Sequence, residues 1–270
     1  MTDAAAWSRV ADPARRVGRS VEFHDEIGST NDRARAALRE PGGDGLAVVA
    51  DLQTAGRGRR GRAWVSPAAV NLAVSVGVRP LLEPSRAGLL GIAAAVATRD
   101  ACAALAPGAT LGIRWPNDVV TSSGEKVAGL LVETAVEDGQ LVEAVIGIGI
   151  NVNWRREAMP DEFAARASSL ADVAGRELDR TALLGVLLDA LDAELAALER
   201  GGSPVDRFRS VSVLDGRRVA VDLGEEVLEG IAAGIGDDGA LLVDTVAGRV
   251  ALTIGEVVSV RDADPAEVLG

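Results

Sequence analysis

In 270 residues there is one cysteine, one histidine and one lysine. The single cysteine, Cys102, excludes an intramolecular disulfide and fits a reducing compartment. With His24 the only histidine, the usual zinc constellations are excluded as well, which leaves oxygen ligands and magnesium as the available metal chemistry. Cys102 lies in an alanine-rich helical run with no histidine near it in sequence, so it reads as a small buried hydrophobe rather than a nucleophile. An uninterrupted apolar run of roughly 18 residues, as a membrane crossing would need, is missing, and so is a signal-peptide hydrophobic region. These absences lead to the expectation of a cytoplasmic protein with no membrane partner. Positive charge is also scarce: 28 basic residues against 40 acidic ones give a net charge of −12. That balance disfavours a general nucleic-acid binder, whose affinity comes largely from neutralising phosphates.

Against this acidic background one stretch stands out. Residues 53–64 read QTAGRGRRGRAW, with four arginines and three glycines between Gly56 and Arg62. Guanidinium groups so close repel, and the glycines leave the backbone free, so a loop that stays mobile until an anion arrives is expected. Arginine forks and glycine N–H groups both suit phosphate or carboxylate oxygens. An RG-rich nucleic-acid segment or a solvated loop fits the composition too. Gly56, Gly58 and Gly61 match G-x-G-x-x-G, but a dinucleotide fold requires a helix next. The chain instead runs through Ser66-Pro67 into the alternating strand pattern of residues 70–78, which rejects that reading. Of the 28 basic residues only Lys126 is lysine. Either chance has left it, or it fills a role that a guanidinium cannot.

Residues 1–20 read as an extension or short packed arm, too short for a winged helix. Val21–Glu26 alternates as a strand, and Gly28-Ser-Thr-Asn-Asp32 opens a helix. Ser29, Thr30 and Asn31 serve equally as a plain cap or as a polar ligand site at a helix N-terminus. Strands at 46–51 and 70–78 form an expected antiparallel pair around the basic loop. Ser85 is expected to cap a helix to about Leu105. Leu111–Arg114 is a strand stopped at Pro116, and Asn117-Asp118 is good turn chemistry that can equally meet a base, ribose or hydrated magnesium. Strands from Lys126 and from Leu141 to Ile150 form an expected hairpin, and glycines at 147 and 149 mark a close approach of ligand or backbone. An amphipathic helix follows over 181–200, and from 212 onward five short β segments, at 218–223, 227–233, 240–245, 249–253 and 257–261, suggest a small barrel.

Five blocks together resemble the signature segments of biotin–protein ligases: Gly28-Ser-Thr-Asn31, the arginine-rich Gln53–Arg62, Arg114-Trp-Pro-Asn-Asp118, Lys126-Val-Ala-Gly-Leu-Leu131 and Gly147-Ile-Gly-Ile-Asn151. The resemblance spans residues 21–153. It implies an α+β fold, a class II synthetase-like catalytic domain with a mixed β-sheet and packed helices, plus a C-terminal SH3-like β-barrel. The expected division is an extension over 1–20, a catalytic domain over 21–211 and the small β domain over 212–270. The implied reaction uses ATP to convert biotin to biotinoyl-5′-AMP and transfers biotin to a lysine of a biotin carboxyl carrier domain.

By this resemblance Ser29, Thr30, Asn31 and Gln53 line the biotin pocket, and Arg57, Gly58 and Arg59 belong to the loop that closes over ligand. Lys126 bridges the biotin carboxylate and the phosphate, with Arg57 as its catalytic partner. Arg59, Arg62, Trp64, Asn117, Asp118 and Asn151 fall on the adenylate side. Biotin, ATP and Mg2+ are the implied ligands, with no residue assigned to the metal. The family usually has lysine where this chain has Arg114, which leaves a phosphate role there open. With no winged helix before residue 21, a ligase without repressor activity and without a nucleic-acid partner is expected. The nearest alternative is a lipoate or octanoate ligase or transferase of the same fold.

Overall fold

The computed structural model describes residues 4–262; residues 1–3 of the expected extension and 263–270 of the expected C-terminal domain lie outside the described residues. In chain order the first half contains α1 (Ala4–Ser8), β1 (Val21–Ile27), α2 (Thr30–Ala37), β2 (Ala47–Gln53), β3 (Leu72–Val78), α3 (Gly88–Leu105), β4 (Leu111–Arg114), β5 (Asp118–Thr121), β6 (Lys126–Glu137) and β7 (Gln140–Ile150). The second half contains α4 (Asp161–Ala164), α5 (Leu170–Ala174), α6 (Arg180–Glu199), α7 (Val205–Val211), β8 (Arg217–Asp222), β9 (Val227–Ile235), β10 (Leu241–Thr245), β11 (Gly248–Leu252) and β12 (Glu256–Asp262).

The first seven strands form one mixed sheet in the order β1-β2-β3-β7-β6-β5-β4. Only β1 and β2 run parallel, joined through α2; every other neighbour is antiparallel. Side chains alternate across the sheet with a period of two and so divide it into two faces. Leu72, Val74 and Val76 of β3 and Ile146, Ile148 and Ile150 of β7 enter the main core, together with the leucines of α6 and the apolar surface of α3. Ser75, Gly77, Val145, Gly147 and Gly149 turn the other way. There α2 covers a small second cluster of Ala34, Leu38, Val48 and Val145. The rest of that face is left open, and the cleft occupies it.

The β6–β7 hairpin turns at Asp138-Gly139, both with positive φ, as a two-residue hairpin turn requires. α3 is long and apolar enough to cross a membrane, but it is a core helix, with Leu90, Ala93, Ala94 and Ala97 fully buried. Ser85 does not cap it. A 3₁₀ turn at Pro84–Arg86 precedes it, because the proline sets the φ of that turn. The N-terminal arm is packed: Trp7 is 1% exposed and stacks on Phe23 at 5.6 Å.

The five C-terminal strands form an antiparallel sheet in the order β11-β10-β9-β8-β12. The end strands β11 and β12 are not paired with each other among the described residues, so closure into the expected barrel is not seen. This sheet shares the main core through Val219, Val221, Ala232 and Leu241. It is also tied to the larger sheet by Trp115 Nε1 donating to Gly239 O at 3.1 Å and Val213 N donating to Ile113 O at 3.0 Å.

Candidate active site

The cleft has a volume of about 620 Å³ and gathers every site residue expected from the sequence: Ser29, Thr30, Asn31, Gln53, Arg57, Gly58, Arg59, Arg62, Trp64, Asn117, Asp118, Lys126 and Asn151. Its floor is β6 and β7, where Gly129 faces Gly149 and Leu131 faces Gly147. A Cβ on Gly149 would collide with the Trp64 ring, and one on Gly147 with the Asn31 amide. The glycines of Gly147-Ile-Gly149 are therefore fixed by contact, since only a bare backbone admits those two side chains.

At one end of the cleft the polar groups are neutral. Ser29 occupies the N-cap position of α2 with extended backbone, yet its side chain makes no cap bond. Gln53 substitutes for it: its Oε1 accepts from Thr30 N at 2.9 Å and lies 3.0 Å from Thr30 Oγ1. Ser75 Oγ lies 2.7 Å from Thr30 Oγ1 and 2.6 Å from Asn31 Oδ1. Asn31 Nδ2 donates to Glu133 at 2.7 Å.

The other end is ionic. Lys126 Nζ lies 2.6 Å from Asp118, which also receives Arg114 at 2.9 Å. Burial pushes the Asp118 carboxyl up, but Lys126 and Arg114 outweigh it and hold it below the usual carboxylate range. The Lys126 ammonium also sits 5.7 Å from the centre of the Trp64 ring. Trp64 Nε1 is buried with no hydrogen-bond partner. Asn117 donates to Leu130 O at 2.6 Å. Asn151 donates to Ser168 O at 3.2 Å and accepts from Asn71 at 3.4 Å, so both amides shape the wall.

The basic loop differs from the mobile segment expected. Gly58 N donates to Arg62 O at 2.7 Å and Trp64 N to Gly56 O at 3.0 Å, which closes it on itself. Arg60 adopts φ 57, and its arginines point apart to separate acceptors. Arg57 makes a two-pronged pair with Asp32 at 2.6 and 2.7 Å, which raises its pKa and lowers that of Asp32. Arg59 donates to Gly255 O at 3.0 Å, Arg60 pairs with Asp222 at 2.9 Å and Arg62 with Glu256 at 2.5 Å. Burial lowers the Arg59 pKa. Repulsion between the guanidiniums is thus offset by four acceptors outside the loop: Asp32 on α2, Asp222 and Glu256 on strands of the C-terminal sheet, and Gly255 O just before β12. Arg60 turns out of the cleft with its carboxylate partner.

Sequence reasoning missed several residues that line the cleft. Ser75 is the lone polar side chain in the wholly buried strand β3, and that was its visible signal. The segment 154–167 contributes Trp154, Met159, Phe163 and Arg166, with the Arg166 guanidinium 5.7 Å from the Phe163 ring centre. Nothing in the local pattern of that segment marks it. Cys102 is buried, which pushes its thiol up to about 12 and keeps it neutral, away from the cleft.

A cleft with hydroxyls and amides at one end and a paired lysine beneath an arginine loop at the other is suited to joining a neutral-headed acid to a polyanion. The comparisons place it in that class of ligases: the Biotin/lipoate A/B protein ligase family matches residues 26–151. The biotin protein ligase C terminal domain matches residues 216–259. A relative from Mycobacterium tuberculosis, a biotin–[acetyl-CoA-carboxylase] ligase, is 36% identical over 90% of this chain and 90% of its own length. The enzyme of that name from Paracoccus denitrificans is 36% identical over 85% of this chain and 96% of its own. Among solved structures, the biotin protein ligase from Aquifex aeolicus in complex with biotin and ATP superposes with a TM-score of 0.74 at 29% identity, over 90% of this chain and 99% of that one. The chain belongs to the biotin protein ligase family.

Proposed function

We infer that this protein activates biotin with ATP and transfers it to a lysine of a biotin carboxyl carrier domain of a carboxylase. In the first step a biotin carboxylate oxygen bonds to the α-phosphorus of ATP while the bond to the bridging oxygen breaks and pyrophosphate leaves. In the second the carrier lysine's amine attacks the acyl carbon, loses a proton, and AMP departs. Both partners of the first step are anionic, so the site must hold like charges together and stabilise what gathers on phosphorus. The observation that carries this reading is that the chain's only lysine lies in one cleft with the basic loop.

In this reading Ser29, Thr30, Asn31 and Gln53 hold the ureido ring, with Ser75 completing that wall. Lys126 bridges carboxylate and phosphate, aided by Arg57 and Arg59, where a compact ammonium fits better than a fork. Gly58 lets the loop backbone approach the ligand. Arg62, Trp64, Asn117, Asp118 and Asn151 form the adenylate side. Magnesium enters as the counter-ion of ATP, a substrate. A resident metal does not fit the donors present: Asp118 is paired with two cations, and no group of three or more His, Cys, Asp or Glu gathers among the described residues. The expected division at residues 21 and 212 is kept as the domain organisation, and the cytoplasm as the location. Nucleic acid and membrane have no part in the reading.

Isothermal titration with biotin and ATP, alone and together, followed by pyrophosphate release with biotin against lipoate, tests it. Biotin-dependent release supports it. Release with lipoate alone moves the protein to the lipoate enzymes, and release with neither rejects the reading.

A further inference from the structure

Glu133 stands where the glycine-lined floor of the cleft ends. It pairs across the ladder with Val145 and shares a face with Gly129 and Leu131. Its Oε2 accepts from Asn31 Nδ2 at 2.7 Å, and Arg35 lies 3.1 Å from the same oxygen. Arg57 lies 3.8 Å from that oxygen as well, but ion pairs alone do not account for this placement, because Arg35 also has Asp32 at 3.6 Å and Glu143 at 3.8 Å, and Arg57 has Asp32 at 2.6 Å.

The direction of the hydrogen bonds follows from proton counting. A carboxylate only accepts, whereas an amide has one end of each kind. Glu133 therefore turns Nδ2 of Asn31 towards itself and Oδ1 towards Ser75. Oδ1 carries no proton, so Ser75 directs its single proton there and shows Thr30 a lone pair, at 2.7 Å. The proton on Thr30 Oγ1 then has two acceptors within reach, Ser75 Oγ and Gln53 Oε1, the latter at 3.0 Å. One proton cannot serve both. Gln53 Oε1 also accepts from Thr30 N at 2.9 Å, so the shortage lies in the chain of oxygens itself: its three oxygen–oxygen contacts share two hydroxyl protons, and one contact is left without a donor.

We propose that Glu133 is a positioning residue for substrate choice: it fixes the direction of the chain through Asn31, Ser75, Thr30 and Gln53, so that one oxygen–oxygen contact of that chain lacks a donor. A ligand with N–H groups, such as a cyclic urea, supplies that donor; a dithiolane has none to give. The inference rests on the reading of this cleft as a biotin site. It adds that selectivity over dithiolane acids, whose rings have no N–H, is set by a carboxylate behind the pocket wall. In Glu133→Gln the new amide can donate as well as accept, so Asn31 loses its fixed orientation and its NH2 can fill the deficit from within.

The test is steady-state pyrophosphate release by the full chain, varying biotin, lipoate and ATP separately. Glu133→Gln is expected to raise the KM for biotin about tenfold, to leave the KM for ATP within about twofold, and to narrow the preference for biotin over lipoate. The double variant Asn31→Asp with Glu133→Gln returns a fixed acceptor to Ser75, because the carboxylate introduced on α2 accepts from the new amide and from the hydroxyl; it is expected to recover most of the lost biotin affinity. An unchanged KM for biotin in Glu133→Gln overturns the proposal. Equal losses for biotin and ATP, or a double variant no better than the single one, overturn it as well. Ser75→Ala, which removes the middle link, supplies the measurement if Glu133→Gln does not fold: a rise in the KM for biotin alone supports the chain, and no rise rejects it. If the unaltered protein releases no pyrophosphate with biotin, the functional reading itself has failed, an outcome distinct from any of these.

Discussion

The two ends of the cleft are built by opposite means. The neutral end is assembled on regular elements: Thr30 and Asn31 in the first turn of α2, Gln53 at the end of β2, Ser75 inside β3. Thr30, Asn31 and Ser75 are short and buried, Gln53 is half-buried, and the four are linked by hydrogen bonds. The ionic end is assembled from a loop and from strand mouths, and its long cations are held by carboxylates of both sheets and of α2. The neutral end is rigid because little room is left in it. The ionic end is ordered by charge, which screening and substrate can both displace. Selection is suited to the first and chemistry with mobile phosphates to the second.

Breaking the ionic end at its centre should have the largest effect. Lys126→Ala is expected to lower kcat for biotin-dependent pyrophosphate release at least 100-fold, while thermal unfolding stays cooperative; near-normal turnover would remove the central role given to this ammonium. At the neutral end, Gly147→Val places a side chain where the Asn31 amide lies. The KM for biotin should rise roughly tenfold or more, with a smaller change for ATP, and matched changes in both would blur the distinction between the ends.

Acid titration sharpens the contrast. Asp118 is depressed in the folded state, so the stability from its pairs is complete above its unfolded pKa of roughly 3.9 and is lost as pH falls through the lower folded value. Urea midpoints of the parent and of Asp118→Asn should therefore differ at neutral pH and converge once the pH has fallen below the lowered folded value. A constant gap would show that the pairs with Lys126 and Arg114 do not set that carboxyl. The smallest effect belongs to the outer pairs of the loop. Asp222→Asn combined with Glu256→Gln should raise the KM for ATP about threefold at low salt and less at high salt, as exposed ion pairs do. A large, salt-independent loss would mean that the C-terminal sheet acts through more than these contacts.

Legibility in the sequence divides along the same line. The lone lysine, the arginine loop and the glycines at 147 and 149 are local anomalies, and each falls in the cleft. The strand and helix periods placed the hairpin, the long helices and the five C-terminal strands to within a few residues, because burial on one face repeats at fixed intervals. What was hidden depends on distant partners. Glu133 reads as an ordinary charged position near the end of a strand until α2 brings Asn31 against it. Asn71 looks like a polar break in an apolar run until the sheet sets it beside Asn151. The segment 154–167 has no periodicity, and it belongs to the cleft because Lys126 N donates to Arg166 O at 2.9 Å and Ser168 N to Lys126 O at 3.0 Å. The order of the basic loop was hidden for the same reason, since its acceptors lie up to about 200 residues away in the chain, Arg59 to Gly255 among them.

The shortage of lysine has a consequence for how the protein behaves in a mixture. An acyl adenylate is an acylating agent, and an enzyme that makes one is ordinarily its nearest target. Here the only side-chain amine is Lys126, and it is engaged with Asp118 as an ammonium, which is not a nucleophile. Apart from its α-amino group, the surface presents guanidinium groups that do not take up the acyl chain. Label recovered after a reaction would then record what the reagent met after leaving the cleft, with little background from the catalyst itself.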